Sequence, residues 1–386
     1  VAALQTHRGD AAAVMEVCRA LVRLAKDPTN HSLLLAHDSC AVLAAAMHTH
    51  SRNEKVVLRT YKAVFALCDA HAEAQGKFRV CNGCITLLDT LRSLEQVSDG
   101  VARWGCIAVR GVLMNNEASQ TLLEVLGAGK LVLQLLRHHS DQEVVVGDGL
   151  AALRFLIDLH DDNTLTYSTA ENCHFIMELF RRHAACVPVA LNCCYLILLL
   201  LPFTSAMFLV PSCQAETSLL TALRTHQRQG QGQEQQGRQE ELVVKCCDAA
   251  AKLSSIPEGG ARFGSAGMCT LLSQILHTHM ENITVCISAF KLLLQLNKVP
   301  ANAPLFSIAL LCKLVVVITQ KYYLRKKCTE VGCAAIRSLA GNSDKTRLLL
   351  ISEGAIDLLT VILHAYSNKN NKAPDWAYST VSVLTN

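Results

Sequence analysis

Residues 341–365 read GNSDKTRLLLISEGAIDLLTVILHA, and their order decides the fold. Ser343 can cap a short helix, because its hydroxyl accepts a hydrogen bond from a free first-turn amide. The helix that follows, SDKTRLLLI, is apolar on one side and stops at Gly354. From there AIDLLTVIL opens a second helix, with Leu and Ile at the spacing of one helical face. Immediately upstream, GCAAIRSLA (332–340) reads as a third, amphipathic helix ending near Leu339. Three helices therefore occupy roughly 43 residues, a spacing at which repeat architectures are to be sought first.

The unit recurs along the chain. A leucine closing a small, apolar helix stretch returns at Leu24, Leu67, Leu113, Leu156, Leu200, Leu253, Leu296, Leu339 and Leu384, in steps of 43, 46, 43, 44, 53, 43, 43 and 45. The surrounding words are alike: VCRALVRLA (17–25), YKAVFALCD (61–69), GCIAVRGVL (105–113) and GLAALRFLI (149–157). A second landmark keeps pace, a glycine opening the middle helix: Gly83, Gly129, Gly267 and Gly354. The step of 53 is explained by HQRQGQGQEQQGRQE (226–240), which has no apolar residue to offset the cost of ordering its backbone. It is expected to form a disordered Gln/Gly-rich loop between a second and a third helix.

On these words, most fully at 341–365, the chain resembles the armadillo-repeat family from about Ala11 to Thr385. The Gly hinge and the third helix separate it from HEAT repeats. The resemblance implies an all-α, right-handed α-solenoid of about eight three-helix repeats with partial flanking units, spanning 1–386 as a single domain. It also implies a non-enzymatic scaffold that binds proteins along a concave groove lined by third helices. The family's peptide-binding members carry an Asn just before the landmark leucine, and import adaptors a Trp four residues earlier. Here the Asn position holds Arg23, Ala66, Val112, Phe155, Leu199, Lys252, Gln295, Ser338 and Val383. The Trp position holds Arg19, Lys62, Ala108, Ala151, Tyr195, Asp248, Lys291, Ala334 and Ser379, so import-adaptor recognition is not expected.

Composition agrees with a helical array. Apolar residues are 51% of the chain and charged ones 18%, so a large continuous core is implied; aromatics are scarce at 5%. The net charge of +4 over 386 residues is too small for a general polyanion binder, and no nucleic-acid partner is expected. Eighteen cysteines are spread over the apolar helical faces with no cleavable signal ahead of them, which reads as reduced thiols in a cytoplasmic compartment. Val1 in place of an initiator Met, and a last helix pattern stopping uncapped at Asn386, lead to the expectation of a longer parent chain.

Several segments invite a chemical reading. Residues 184–215 carry no Asp, Glu, Lys or Arg, long enough for a membrane span, but Pro188, Pro202, Pro211 and Asn192 interrupt them and the repeat register runs through. A buried repeat is expected there, not a membrane helix. Cys81 and Cys84 form a CxxC without a second pair, so neither a metal nor a redox cofactor is expected. Histidines at the ends of second helices (His48, His50, His138, His139, His183, His226, His277, His279, His364) are read as donors to free carbonyls at those ends. No nucleophile elbow, phosphate loop or HExxH motif is present, so no enzyme is expected.

The candidate binding residues are cations on third helices: Arg19, Arg23, Arg59, Lys62, Lys245, Lys252 and Lys291. They are expected to form a basic groove for an acidic segment of a protein partner, the alternative being a solvated helix face. A second basic cluster, QKYYLRKKC (320–328), contributes Lys321, Arg325, Lys326 and Lys327, expected as a loop able to touch acidic tubulin tails. That cluster carries the alternative function, a cytoskeletal armadillo protein of cilia or flagella binding microtubules or axonemal proteins.

Overall fold

The computed structural model describes residues 2, 6–94, 97–158, 161–204, 208, 213–226, 233–367 and 375–385. Among the described residues all regular structure is helical. The helices fall into two compact units, Val1–Ser168 and Thr169–Asn386, where the repeat register alone suggests one domain over 1–386. In the first unit the repeat pattern is followed from a third helix, α1 (Ala11–Leu24). Repeats follow as α2 (His31–Ala36), α3 (Ser39–Thr49), α4 (Glu54–Cys68); α5 (Ala72–Val80), α6 (Gly83–Ser93), α7 (Asp99–Leu113); and α8 (Glu117–Val125), α9 (Ala128–His138), α10 (Glu143–Ile157). The unit closes with α11 (Asp161–Tyr167), a first helix.

The second unit continues with α12 (Ala170–Arg182) and α13 (Val187–Thr204), then α14 (Ala215–His226) and α15 (Gln233–Ser254). It ends with α16 (Gly259–Ser265), α17 (Met268–Thr278), α18 (Ile283–Asn297); α19 (Ala303–Phe306), α20 (Ala309–Lys321), α21 (Lys326–Ala340); and α22 (Asp344–Ser352), α23 (Ala355–Ser367), α24 (Asp375–Thr385). Third helices stack on third helices within each unit, α1 on α4 on α7 on α10, and α13 on α15 on α18 on α21 on α24. Each unit is thus an all-α solenoid with the three-helix period legible in its leucines.

The stacking is driven by a shared apolar spine. Each third helix buries a stripe such as Val56, Val57, Val64 and Leu67 on α4, or Val101, Cys106, Val109 and Val112 on α7. Tyr61 is fully buried in this spine and its hydroxyl donates to the Leu87 carbonyl at 3.3 Å, which settles the one polar atom it carries inside. Sixteen of the eighteen cysteines are buried, the exceptions being Cys81 and Cys186. Burial pushes the thiols up, Cys18, Cys106 and Cys333 each to about 12, so they pack as small protonated hydrophobes.

The hinge between first and second helices needs one residue in the left-handed region, taken by Asp38, Asn82, Gly127, Gly267 and Gly354. Of the glycines expected to open middle helices, Gly267 and Gly354 are themselves the left-handed residues, whereas Gly83 is the first residue of α6 and Gly129 the second of α9. The latter two are small because of close packing. A Cβ on Gly83 would sit 2.6 Å from the Phe78 ring, and one on Gly129 would sit 2.0 Å from the Tyr167 hydroxyl.

Two ladders of hydrogen bonds tie repeat to repeat. In the first, a buried polar residue of a first helix donates to the open C-terminal carbonyls of the preceding third helix, where the last carbonyls have no intrahelical partner. His31 faces Ala25 O (2.8 Å), Gln75 donates to Cys68 O (3.0 Å), Thr164 to Ile157 O (3.3 Å) and Asn302 to Leu296 O (3.0 Å). Gln75 also reaches forward to Gly111 O (2.9 Å) and Met114 O (2.8 Å) at the end of α7. The second ladder runs along the ends of second helices. His50 faces Arg8 O (2.8 Å), Ser93 donates to Ser51 O (3.3 Å), Tyr322 to Met280 O (3.2 Å) and Tyr366 to Tyr323 O (3.1 Å). The histidines expected to serve their own helix ends thus include one, His50, that bonds the loop of the repeat before it.

The segment 226–240, expected as a disordered loop, is divided. His226 ends α14 and residues 227–232 lie outside the described residues, whereas 233–240 form the first turns of α15. Polar partners substitute for apolar burial there: Gln236 donates to Glu240 at 3.2 Å, and Asn282 at the start of α18 donates to Glu240 at 2.7 Å. By length and composition α13 alone among single described helices is long and apolar enough to cross a membrane, yet it packs as a third helix against α12 and α15.

Candidate protein-interaction surface

The expected groove cations do not fall into one uniform row. In the first unit, Arg19 pairs with Glu16 of its own helix, and Arg23 is exposed in the last turn of α1. Arg59 and Lys62, one turn apart on α4, are half-buried and lie beside α7. Lys62 Nζ stands 4.9 Å from the centroid of the Trp104 ring, which meets Phe65 edge-on with centroids 6.2 Å apart. The Arg110 guanidinium lies 5.5 Å over the Phe65 ring. Gly111 seats that ring on α7, since a Cβ there would be 2.9 Å from Phe65 Cδ2.

The acids nearby are few. Arg103 holds Asp148 of α10 at 2.9 Å. Among the described residues Arg59, Lys62 and Arg110 have no carboxylate partner within ion-pair distance. Partial desolvation, with the Arg59 and Arg103 guanidiniums beside it, holds the Lys62 ammonium below its usual range. An unneutralised cluster of this kind attracts an anion, and the rings beneath it supply rigid apolar area. Arg59 and Lys62 were legible as candidates; Phe65, Arg103, Trp104 and Arg110 were not, because what marks them is contact between helices about 40 residues apart in the chain. The available signal was one of only two Trp in the chain, placed inside a third helix.

The second unit is weaker. Lys245 Nζ sits 4.5 Å from the Tyr195 ring centroid, but the Tyr195 hydroxyl donates to Glu241 at 2.7 Å, bringing a carboxylate to the same spot. Lys252 and Lys291 are exposed on α15 and α18. The second basic cluster is a tight turn between helices. Lys321 is the last residue of α20 and pairs with Glu281; Lys326 and Lys327 open α21, Lys326 at 3.9 Å from Glu330; Arg325 caps that helix through its backbone. At the CxxC, burial pushes Cys84 up to about 12 and Cys81 upward as well, which disfavours the thiolate that metal or redox chemistry uses. Among the described residues no three His, Cys, Asp or Glu side chains converge as metal ligands.

No family model and no curated protein matches this chain. Among solved structures, the crystal structure of an engineered protein is similar at 14% identity and a TM-score of 0.73, over 97% of this chain and 85% of that one. A chain from a structure on a phosphorylation switch controlling the interaction between cadherin and beta-catenin is 11% identical, over 98% of this chain and 95% of that one, with a TM-score of 0.47. The first likeness concerns fold alone.

Proposed function

We propose that this chain is an armadillo-type, non-enzymatic scaffold in the cytoplasm that binds an acidic segment of a partner protein on the third helices of its first unit. The observation that carries the reading is the cluster of Arg59, Lys62 and Arg110, without carboxylate partners among the described residues, with Lys62 over the half-buried Trp104 ring and Arg110 over that of Phe65. Helical-repeat architecture supports it, because stacked repeats expose long faces built of successive helices. The buried, protonated thiols suit a reducing compartment. The microtubule alternative draws on the turn at 321–327, where Lys321 and Lys326 already face Glu281 and Glu330, and is the weaker reading for that reason.

The test is the charge reversal Arg59→Glu/Lys62→Glu, with binding of a labelled Glu-rich peptide followed by fluorescence anisotropy. Affinity is expected to fall by about tenfold or more, about 1.4 kcal/mol, and wild-type binding to weaken as salt is raised, with helical content unchanged. Equal binding by wild type and variant would remove the first unit's third helices as the site.

A further inference from the structure

Resting on the acidic-segment reading, we infer that the segment carries an aromatic side chain between its acids, and that this side chain docks on Trp104 after an acid has drawn Lys62 away. The geometry at the α4–α7 junction differs from an ordinary solvated basic face in two ways. First, the cations are held over rings and not extended into water: Lys62 over Trp104 at 4.9 Å and Arg110 over Phe65 at 5.5 Å. Second, the rings form one continuous ledge, Trp104 and Phe65 meeting edge to face at 68° across two helices. Both are only partly exposed, so the ledge is recessed between helices and not a protruding patch of the kind that lies on a membrane.

Lys62 is the movable part. Its ammonium is disfavoured where it stands, by desolvation and by Arg59 and Arg103, and among the described residues no carboxylate holds it there. A partner carboxylate offers what the site lacks, a counter-charge, at the rim and not over the ring. Once Lys62 turns toward it, the face of Trp104 is open, and a stacked or edge-on aromatic ring is the ligand whose geometry and apolar area fit. An acidic segment without such a ring would satisfy the cations and leave the ledge wet. The complement of rings bordered by cations is a ring bordered by carboxylates, the arrangement in which aromatic anchors dominate binding while rim charges steer it.

The chain contains two tryptophans, Trp104 and Trp376, so Trp376→Phe leaves Trp104 as the sole tryptophan. In that background, three labelled Glu-rich peptides of equal charge, with Gly, Leu or Phe at the centre, are titrated. The Phe peptide is expected to bind about tenfold more tightly than the Gly peptide and to shift Trp104 emission, with Leu between them. Trp104→Leu, which keeps an apolar side chain at the site, is expected to erase the Phe advantage and leave Gly-peptide binding in place. Equal affinities for Phe and Gly peptides, both lost on Arg59→Glu/Lys62→Glu, would overturn this inference while leaving the acidic-segment reading intact. Failure of all three peptides to bind would remove both. Displacement of the Phe peptide by a single-stranded oligonucleotide of equal charge at the same concentration would also overturn it.

Discussion

Replacing Gln75 by Met tests whether the buried amide ladder couples neighbouring repeats. Gln75 is fully buried on α5, and Met nearly preserves its volume, so the change removes polar contacts with little cavity term. The two amide N–H groups are shared among Cys68 O, Gly111 O and Met114 O, and the amide oxygen accepts from Asn116 at 3.1 Å. Cys68 O keeps a partner, since the His71 amide donates to it at 3.1 Å. Gly111 O and Met114 O, at the open end of α7, lose theirs. An orphaned buried carbonyl at Gly111, about 1–3 kcal/mol, and a part-buried one at Met114, about 1 kcal/mol, set a destabilisation of roughly 2–4 kcal/mol. The loss should be local, because in a repeat array each repeat is held by its neighbours and the damaged contact is the one joining α5 to the ends of α4 and α7. Native-state hydrogen exchange is the suitable assay: amides of α5 and the last turn of α7 should exchange faster by a factor on the order of 30 to 1,000, with the second unit unchanged. Ser93→Ala, which deletes a partly exposed bond of 3.3 Å, is the control and should change protection little. Protection in α5 and α7 that differs from wild type by less than about 1 kcal/mol would refute the reasoning, since the ladder would then be ornament on a spine that holds without it.

Two further outcomes follow from the buried groups. With Cys84 and Cys106 pushed up to about 12, their thiolate fraction at pH 8 is on the order of one in ten thousand, so iodoacetamide mass spectrometry on the native chain should modify Cys81 and Cys186 first; rapid modification of the buried sixteen would contradict the packing. Burial holds the His226 imidazole below its usual range, against the opposing pull of the Ala184 and Ala185 backbone, so the unfolded chain takes up a proton more readily than the folded one. Its contribution to stability is complete above the unfolded value of about 6.5 and is lost as pH falls through the lower folded value. Urea midpoints of the second unit should therefore drop from pH 7 to pH 5, and His226→Gln should flatten that dependence; an unchanged slope would exclude His226 as its source.

The residues that escaped a reading of the chain did so for a common reason. Gln75, Asn302 and Thr164 look like stray polar residues in short helices, though each follows a landmark leucine by six to eight positions. Their meaning appears only when the open carbonyls of a preceding third helix come within 3.0–3.3 Å. Gly83 and Gly129 open the middle helices as read, but that the left-handed turn just before them falls to Asn82 and Gly127 shows only in the backbone. The start of α15 looks unable to order because it lacks apolar residues, and a carboxylate contact from Asn282 lies outside any local window.

By itself the sequence determined the all-α class, the three-helix period, the third-helix positions and the candidacy of Arg59 and Lys62. These depend on a helical face recurring every few residues and on leucines recurring every 43 or so, both of which are properties of the chain in one dimension. Only the tertiary structure decided which residue turns each hinge, which polar side chains satisfy the helix ends, and that Lys62 lies on Trp104 with Phe65 beside it. Those partners sit about one repeat apart, and their meeting depends on the stagger and close approach of stacked helices, which side-chain volumes at the contact fix and no periodicity encodes.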